Sequence, residues 1–427
     1  MATEGGESGR SAKHVRVLMY SHDGFGLGHV RGTQTVANAL ASNRPESSIV
    51  ILTGSAIIRT FEFRTGIDFV CVPGVERAQG SGVCTSRTLN MSIEEVVALR
   101  RALFLQTAET MNPDIFIVDH KPSGFWGELV PTLKLLKARG CYIVFSVRNI
   151  LDREPHLFLP EWNRDGAIES LERYYDEIWV HGVEEIYQPF AELPISAGLA
   201  ERITYTGYLR RELPQVPINK IFPSIARSPF ILVTAGGGGD GEEVIGWVIA
   251  AYEADPGMEL QALIVFGPHM NADHRRGFME RIQRHPKLDA ISFDTEVEVL
   301  MSKATAIVAM CGYNTFCEIL SFDKPSLIVP RRRSRKEQLI RATEAERHGL
   351  LSYIVADESG HDPLRMATAL RALSKQKSPS SVRIQGLLDG LDVICKSFSR
   401  AVAADRRDLT LENFKISKDV SLGAKSA

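Results

Sequence analysis

The chain alternates short, wholly apolar runs with segments of helical spacing, and it does so in two series. An apolar run without alternation reads as a strand covered on both faces. Strands of that kind separated by helices imply a parallel sheet between two helical layers. In the first series the strands are expected over residues 15–21, 49–53, 68–72, 115–119, 142–147, 178–181 and 203–206. Helices are expected over residues 30–41, 92–111 and 124–139. In the second series the strands fall at residues 230–235, 262–266, 290–293, 305–310, 326–330 and 351–355. Between the two series stand Pro214, Pro217, Pro223 and Pro229, each of which fixes φ and removes a backbone donor. The expectation is two doubly wound α/β domains facing a cleft. The N-terminal domain would span 15–207, the linker 208–229 and the C-terminal domain 230–378. Residues 1–14 and 406–427 read as polar tails. Residues 379–405 read as a last helix capped by Ser380 or Ser381, with Ile384, Leu387, Leu391, Ile394 and Phe398 on one face.

Composition narrows the function. A formal charge of -2 over 427 residues argues against a nucleic-acid binder. No apolar run approaches the roughly 18–20 residues of a membrane span, which leaves only peripheral membrane contact open. The first residues lack the apolar centre of a secretory signal. Six cysteines without CxxC or Cys/His ligand spacing suggest reduced thiols. A cytoplasmic protein is expected, free or on the inner face of the plasma membrane. Cys71, Cys141 and Cys311 read as small core residues.

The chemistry gathers where strands end. After the run at 305–310 comes Cys311-Gly312-Tyr313-Asn314, a turn in which Gly and Asn make positive φ easy, and then a helix. Free N–H groups at such a helix start suit a phosphate. Glu318 lies about one turn into that helix, where a carboxylate can accept from two ribose hydroxyls. Gln338 follows the next strand on the same face. These residues suggest a nucleotide-sugar site.

In the first series the strand at 15–21 runs into His22-Asp23-Gly24-Phe25-Gly26-Leu27-Gly28-His29. This is neither GxGxxG nor a P-loop. A His at the start of the following helix can serve as a base, kept neutral by the helix N-terminus. Asp119, at another strand end on the same cleft, is a candidate orienter of His29, and Arg148 a candidate acceptor contact.

A second Gly-rich turn, Gly236-Gly237-Gly238-Gly239-Asp240-Gly241, satisfies GxGxxG formally. The following strand ends without an acid, which argues against a dinucleotide site and for close backbone approach to a ligand or to the other domain. Residues 75–90 read as a polar loop, and 331–336 as a basic loop facing solvent, a diphosphate or lipid headgroups. No Asp-x-Asp stands at a strand end, so helix N-termini and Arg would have to meet the diphosphate charge.

Over residues 15–375 this pattern resembles glycosyltransferase family 28, the family of the bacterial enzyme that completes lipid II. It most resembles the predicted bacterial glycosyltransferases in that group. The resemblance implies a GT-B fold with the last helix packed back on the N-terminal domain. It also implies a donor held by the C-terminal domain, no catalytic metal and no cofactor beyond the nucleotide-sugar substrate. Carried over by position, His29 is the catalytic base and Arg210 the cation on the donor diphosphate. Gly236, Gly237, Gly238 and Gly239 form the C-terminal Gly-rich turn, and Phe293 and Thr295 flank the strip that reads the base. Gly312, Tyr313, Asn314 and Thr315 form the diphosphate turn, Glu318 binds ribose, and Glu337 with Gln338 holds the donor sugar. His22, Gly28 and Arg148 fall to the acceptor. The chain departs from the family in having Tyr313 and Asn314 where smaller residues stand, and Glu337 where an amide is frequent.

The expected function is an inverting, metal-independent transferase of polysaccharide biosynthesis or related glycosylation. It would move a sugar from a UDP-sugar to a hydroxyl of a glycan, lipid-linked or small-molecule acceptor. A nucleotide-sugar 2-epimerase and a non-catalytic nucleotide-sugar-binding protein remain as alternatives.

Overall fold

The computed structural model describes residues 14–22, 28–77, 84–151, 155–214, 222–237, 239–294, 296–331, 336–357 and 360–404. The two expected tails, much of the linker, Gly238, Thr295 and the centre of the basic run lie outside the described residues or largely so.

The strands of the first sheet are β1 (Arg16–Ser21), β2 (Ser48–Thr53), β3 (Ile67–Cys71), β6 (Ile115–Asp119), β7 (Tyr142–Arg148), β8 (Glu177–His181) and β9 (Ile203–Tyr205). They lie in the order β3-β2-β1-β6-β7-β8-β9, with every neighbouring pair parallel. Helices α1 (Gly28–Asn43), α2 (Ile93–Met111), α3 (Val130–Ala138), α4 (Pro155–Arg164), α5 (Ala167–Tyr174) and α6 (Ala197–Ala200) run between them. The strands of the second sheet are β10 (Phe230–Thr234), β11 (Gln261–Val265), β12 (Leu288–Ile291), β13 (Ala306–Ala309), β14 (Ser326–Ile328) and β15 (Ser352–Tyr353). Their order is β12-β11-β10-β13-β14-β15, again parallel throughout. They are joined by α7 (Glu242–Ala254), α8 (Ala272–Gln283), α9 (Val297–Lys303), α10 (Tyr313–Ser321) and α11 (Glu337–Arg347), and α12 (Pro363–Ala372) comes after the last of them.

In each sheet the chain starts in the middle and then turns back. β1 lies between β2 and β6, and β10 lies between β11 and β13. That reversal opens a crevice beyond the carboxyl ends of the central strands. The central strands are buried through most of their length, as their unbroken apolar runs require. Ser92 caps α2 in a capping box with Glu95, so that helix start was readable locally.

Four expectations change. Residues 75–90 are not all loop: β4 (Val75–Arg77) and β5 (Cys84–Ser86) pair as an antiparallel ribbon. The helix expected over 124–139 is interrupted, because Gly124 (φ 74) and Trp126 (φ 48) leave helical geometry, and α3 starts only at Val130. Cys71 is exposed at the end of edge strand β3, while Cys141 and Cys311 are buried as expected.

The fourth is the last helix, α13, which spans Gly390–Ala403 and does not start at Ser381. Before it, Pro379–Ser381 form one 3-10 turn, and Gly386 adopts φ 72. The intervening strap lies across the domain junction. Tyr208 N donates to Leu387 O at 2.8 Å, and Gly390 N donates to Tyr208 O at 3.3 Å. A Cβ on Gly207 (φ +86) would lie 2.1 Å from Gly386 O, so this crossing requires glycine. Ile384, Leu387 and Leu388 still pack on the core, without helical backbone.

α13 then rests on α1, with Cys395 Sγ 3.7 Å from Ala39 O and Ser399 Oγ 3.3 Å from Asn43 Oδ1. Ser397 Oγ donates to Glu177 Oε2 at 2.5 Å and accepts from Trp179 Nε1 at 3.4 Å. The C-terminal helix therefore packs back on the N-terminal domain. Among the described residues, no helix is long and apolar enough to cross a membrane.

Candidate active site

β1 and β6 are neighbours, so the segments after their carboxyl ends meet in the first crevice. His29 sits in the first turn of α1 and Asp119 ends β6. His29 Nδ1 and Asp119 Oδ2 are 2.7 Å apart. A carboxylate acceptor there makes Nδ1 the donor and leaves Nε2 with a lone pair. Burial lowers the His29 pKa, the Arg148 cation lowers it further, and Asp119 only partly opposes them, leaving it at about 4. The imidazole is thus neutral near pH 7. Burial pushes the Asp119 carboxyl up, but the charge and hydrogen bond of His29 outweigh this and hold it below its ordinary value.

His22 stands edge-on to His29 with ring centroids 5.4 Å apart, and 5.3 Å from His120. Burial, then His120 and His29, hold it well below its usual pKa. Tyr20 Oη lies 3.4 Å from His22 Nδ1 and donates to Glu128 Oε1 at 2.9 Å. Glu128 in turn is gripped by Arg100, through Nε at 2.6 Å and Nη2 at 2.8 Å, with both side chains fully buried. A bidentate pair of this kind holds Tyr20, and so His22, in place. Behind His29, His181 bonds Ser146 Oγ at 2.7 Å and Thr206 Oγ1 at 3.2 Å, and burial lowers its pKa to about 4. A small cavity of about 20 Å³, room for about one water, is lined by His29, Asp119, Ser146, Arg148, His181 and Tyr313.

The facing crevice lies beyond β10 and β13. Positive φ in the turn after β13 falls on Cys311 (φ 65), not on Gly312 (φ -57) or Asn314, which is already helical. The cause is tertiary: Arg341 of α11 donates Nη1 to Cys311 O at 2.6 Å and fixes that carbonyl. Gly312 is the N-cap of α10 and brings no side-chain cap. The first intrahelical bond is Phe316 N to Gly312 O at 2.9 Å, so the N–H groups of Tyr313, Asn314 and Thr315 have no helical partner.

The two crevices touch. Asn314 Nδ2 donates to Gly28 O at 3.1 Å, joining the starts of α10 and α1. Arg211 Nη2 donates to Asn314 Oδ1 at 2.8 Å, Arg211 N donates to Ser321 Oγ at 2.9 Å, and Nη1 reaches Thr35 Oγ1. Arg210, singled out from the sequence, is exposed. Glu318 is 2% exposed and pairs with Arg31 Nη2 at 3.0 Å. Arg31 comes from α1 and also pairs with Glu298 of α9. Burial raises the Glu298 pKa, Arg31 opposes this, and Glu318 adds to it.

The remaining expected residues are more scattered. Gln338 is buried, and its Oε1 accepts from Arg331 N at 2.9 Å. Arg331 pairs with Asp240 at 2.6 Å, which brings the loop after β14 to the Gly-rich turn. Gly236 (φ 62) and Gly237 are in that turn, and Gly237 O accepts from His269 N at 2.9 Å. A Cβ on Gly239 would lie 3.9 Å from His269 Cβ, in ordinary contact. Glu337 starts α11, and Phe293 is 46% exposed past the end of β12. Gly28 leaves room for Arg148, whose Nη2 would be 3.0 Å from a Cβ there.

Sequence reasoning missed Arg31, Arg211, Glu298 and Arg341. Arg31 and Arg341 each lie within a helical turn of a polar site residue, which was the available signal; for Arg211 and Glu298 local spacing carried none.

Residues 230–383 match the glycosyltransferase family 28 C-terminal domain. No curated protein sequence matches the chain. Among solved structures, the glycotransferase of kitacinnamycin superposes with a TM-score of 0.61 at 14% identity, covering 93% of this chain and 100% of that one. A UDP-GlcNAc 2-epimerase from Neisseria meningitidis, bound to UDP-GlcNAc, gives 0.58 at 12% identity over 92% and 100% of the two chains. MurG from Acinetobacter baumannii gives 0.56 at 14% identity over 90% and 100%. At such identities the likeness is one of fold. With two parallel-sheet domains meeting at their carboxyl crevices, the chain has the GT-B fold, and its residues 230–383 match the glycosyltransferase family 28 C-terminal domain.

Proposed function

We propose that the protein is an inverting, metal-independent glycosyltransferase that uses a nucleotide-diphosphate sugar, a UDP-sugar in the first instance. The observation that carries the reading is the 2.7 Å His29–Asp119 pair set beside an uncapped helix start, the two joined through Asn314 and Gly28. The acceptor hydroxyl binds in the N-terminal space and donates to His29 Nε2. Its oxygen attacks the anomeric carbon from the side opposite the diphosphate. The hydroxyl proton passes to His29, and Asp119 stabilises the imidazolium that forms. The C–O bond to the diphosphate breaks, and its electron pair leaves with the diphosphate.

The charge on that leaving group is met by the free N–H groups of α10 and by Arg211, whose guanidinium lies against Asn314. Glu318 takes the ribose hydroxyls once Arg31 has released it. Gln338 and Glu337 flank the sugar, and the turn at Gly236–Gly239 approaches it through backbone.

A 2-epimerase is the second reading, supported by solved epimerases that superpose as well as the transferases do. A neutral base at the cleft serves proton abstraction from a sugar equally. Incubation of the protein with a panel of UDP-sugars, with and without acceptors, separates the two. Acceptor-dependent glycoside that disappears in His29→Ala, with UDP affinity held, supports transfer. An epimerised sugar nucleotide formed from donor alone would sink it.

A further inference from the structure

Three guanidinium groups converge on the start of α10. Arg211 reaches Asn314. Arg341 lies 5.9 Å from the Tyr313 ring centroid, and Arg148, from the end of β7 in the other domain, lies 5.6 Å from the same centroid. Each keeps a buried nitrogen without a hydrogen-bond partner: Arg148 Nη2, Arg211 Nε, and Arg341 Nε and Nη2. A buried N–H left unpaired costs about 1–3 kcal/mol and is rare. Such nitrogens call for an acceptor, water or anion, and three of them stand around one helix start.

Carboxylates face these cations too: Glu298 feels Arg211, and Glu337 and Arg341 both act on Cys311. A nucleotide-sugar diphosphate carries one negative charge on each phosphate. Arg211 and Arg341 approach the turn from the linker and from the C-terminal domain, the side on which the donor is proposed to bind. Arg148 is the third, and it stands on the opposite wall. It lines the N-terminal space together with His29 and Asp119. Asp119, the one carboxylate among the described residues lining that space, is hydrogen-bonded to His29 and also lies within the field of Arg148. His29 and His181 are held neutral there. Gly28 is placed so that no side chain excludes the guanidinium from the side of His29.

We propose that Arg148 holds an anionic group of the acceptor, a carboxylate or a phosphate, beside the hydroxyl that His29 deprotonates. The inference rests on the transferase reading and adds to it the acceptor class: sugar acids or phosphorylated molecules. An arginine suits the task because its fork stays charged and grips two oxygens at once.

The test uses UDP to fill the donor diphosphate place and inorganic phosphate as the probe, at constant ionic strength. Thermal shift and calorimetry are read for the wild type, Arg148→Met and Arg148→Lys. Phosphate should stabilise the UDP-saturated wild type. Arg148→Met should lose that response while keeping the wild-type Kd for UDP, and Arg148→Lys should recover part of it, which excludes simple misfolding. A tenfold or greater loss of UDP affinity in Arg148→Met would overturn the proposal, because Arg148 would then serve the donor. A phosphate response absent from the wild type, or equal in the wild type and Arg148→Met, would overturn it too, leaving Arg148 as a counter-charge to Asp119. If UDP itself fails to bind the wild type, the transferase reading fails instead, and the phosphate response without UDP still reports on Arg148.

Discussion

Replacing Arg31 with Met tests how the domains are held and what the donor must displace. Arg31 is the counter-charge for two carboxylates of the other domain, Glu318 at 2% and Glu298 at 13% side-chain exposure. Removing one partner from a buried ionic group costs about 3–5 kcal/mol, because the remaining charges stay desolvated. Here the two that remain also repel each other. Burial already raises the Glu298 carboxyl, and the loss of Arg31 raises it further. The folded variant then binds protons that the unfolded chain releases. A carboxyl whose folded pKa is raised adds stability as pH falls through that pKa, and loses it as pH rises. Arg31→Met should therefore lose about 3–5 kcal/mol at pH 8. It should regain about 1.4 kcal/mol for each unit by which a carboxyl pKa is raised, as pH falls to 5. Urea midpoints of the wild type and the variant at both pH values measure this. In the same variant UDP affinity should hold or rise, since the ribose no longer competes with Arg31 for Glu318. A loss below about 1 kcal/mol at pH 8, or an equal loss at both pH values, would refute the reasoning.

Three further outcomes are expected. Asp119→Asn should lower kcat by about 10²–10⁴ with UDP affinity unchanged, because it removes the carboxylate that orients His29 and stabilises its imidazolium; steady-state kinetics against UDP calorimetry reads it. Stability should fall as pH drops from 6.5 to 4, since His29 and His181 stay neutral in the fold to about 4 while the unfolded chain takes up protons. Each contributes about 3 kcal/mol above pH 6.5 that is lost by pH 4, seen as a falling urea midpoint that is blunted in His181→Asn. Gly207→Ala should lower Tm by several degrees, because its Cβ meets Gly386 O and its φ is positive; an unchanged Tm would mean that the strap moves freely.

Local pattern carried the architecture. Continuous apolar runs such as 115–119 read as strands buried on both faces, and Ser92 with Glu95 states a helix start by itself. The Gly-rich turns and the Cys311–Asn314 turn stood at strand ends, so parallel topology alone put them at the crevices. What local pattern carried less well was side-chain direction. In Arg210-Arg211 both residues are alike in the sequence. Only the bond from Arg211 N to Ser321 Oγ, made across the fold, turns the second guanidinium towards Asn314 and leaves the first in solvent. Positive φ was expected where it is cheapest, at Gly312 or Asn314. It occurs at Cys311 because Arg341, thirty positions on, holds the carbonyl.

The same division runs through the whole molecule. Two parallel α/β domains, a Pro-marked junction, and a phosphate-suited helix start with Glu318 one turn inside it are written in the order of the residues. Periodicity and turn chemistry act over a few residues, and those features need nothing more. Packing of the whole chain brought His29 to Asp119, set Arg31 against Glu318 from the other domain, and turned Arg148 into the cavity beside His29. Those contacts join residues far apart in the chain. Their geometry depends on how two rigid sheets and one returning helix pack, which no local spacing encodes.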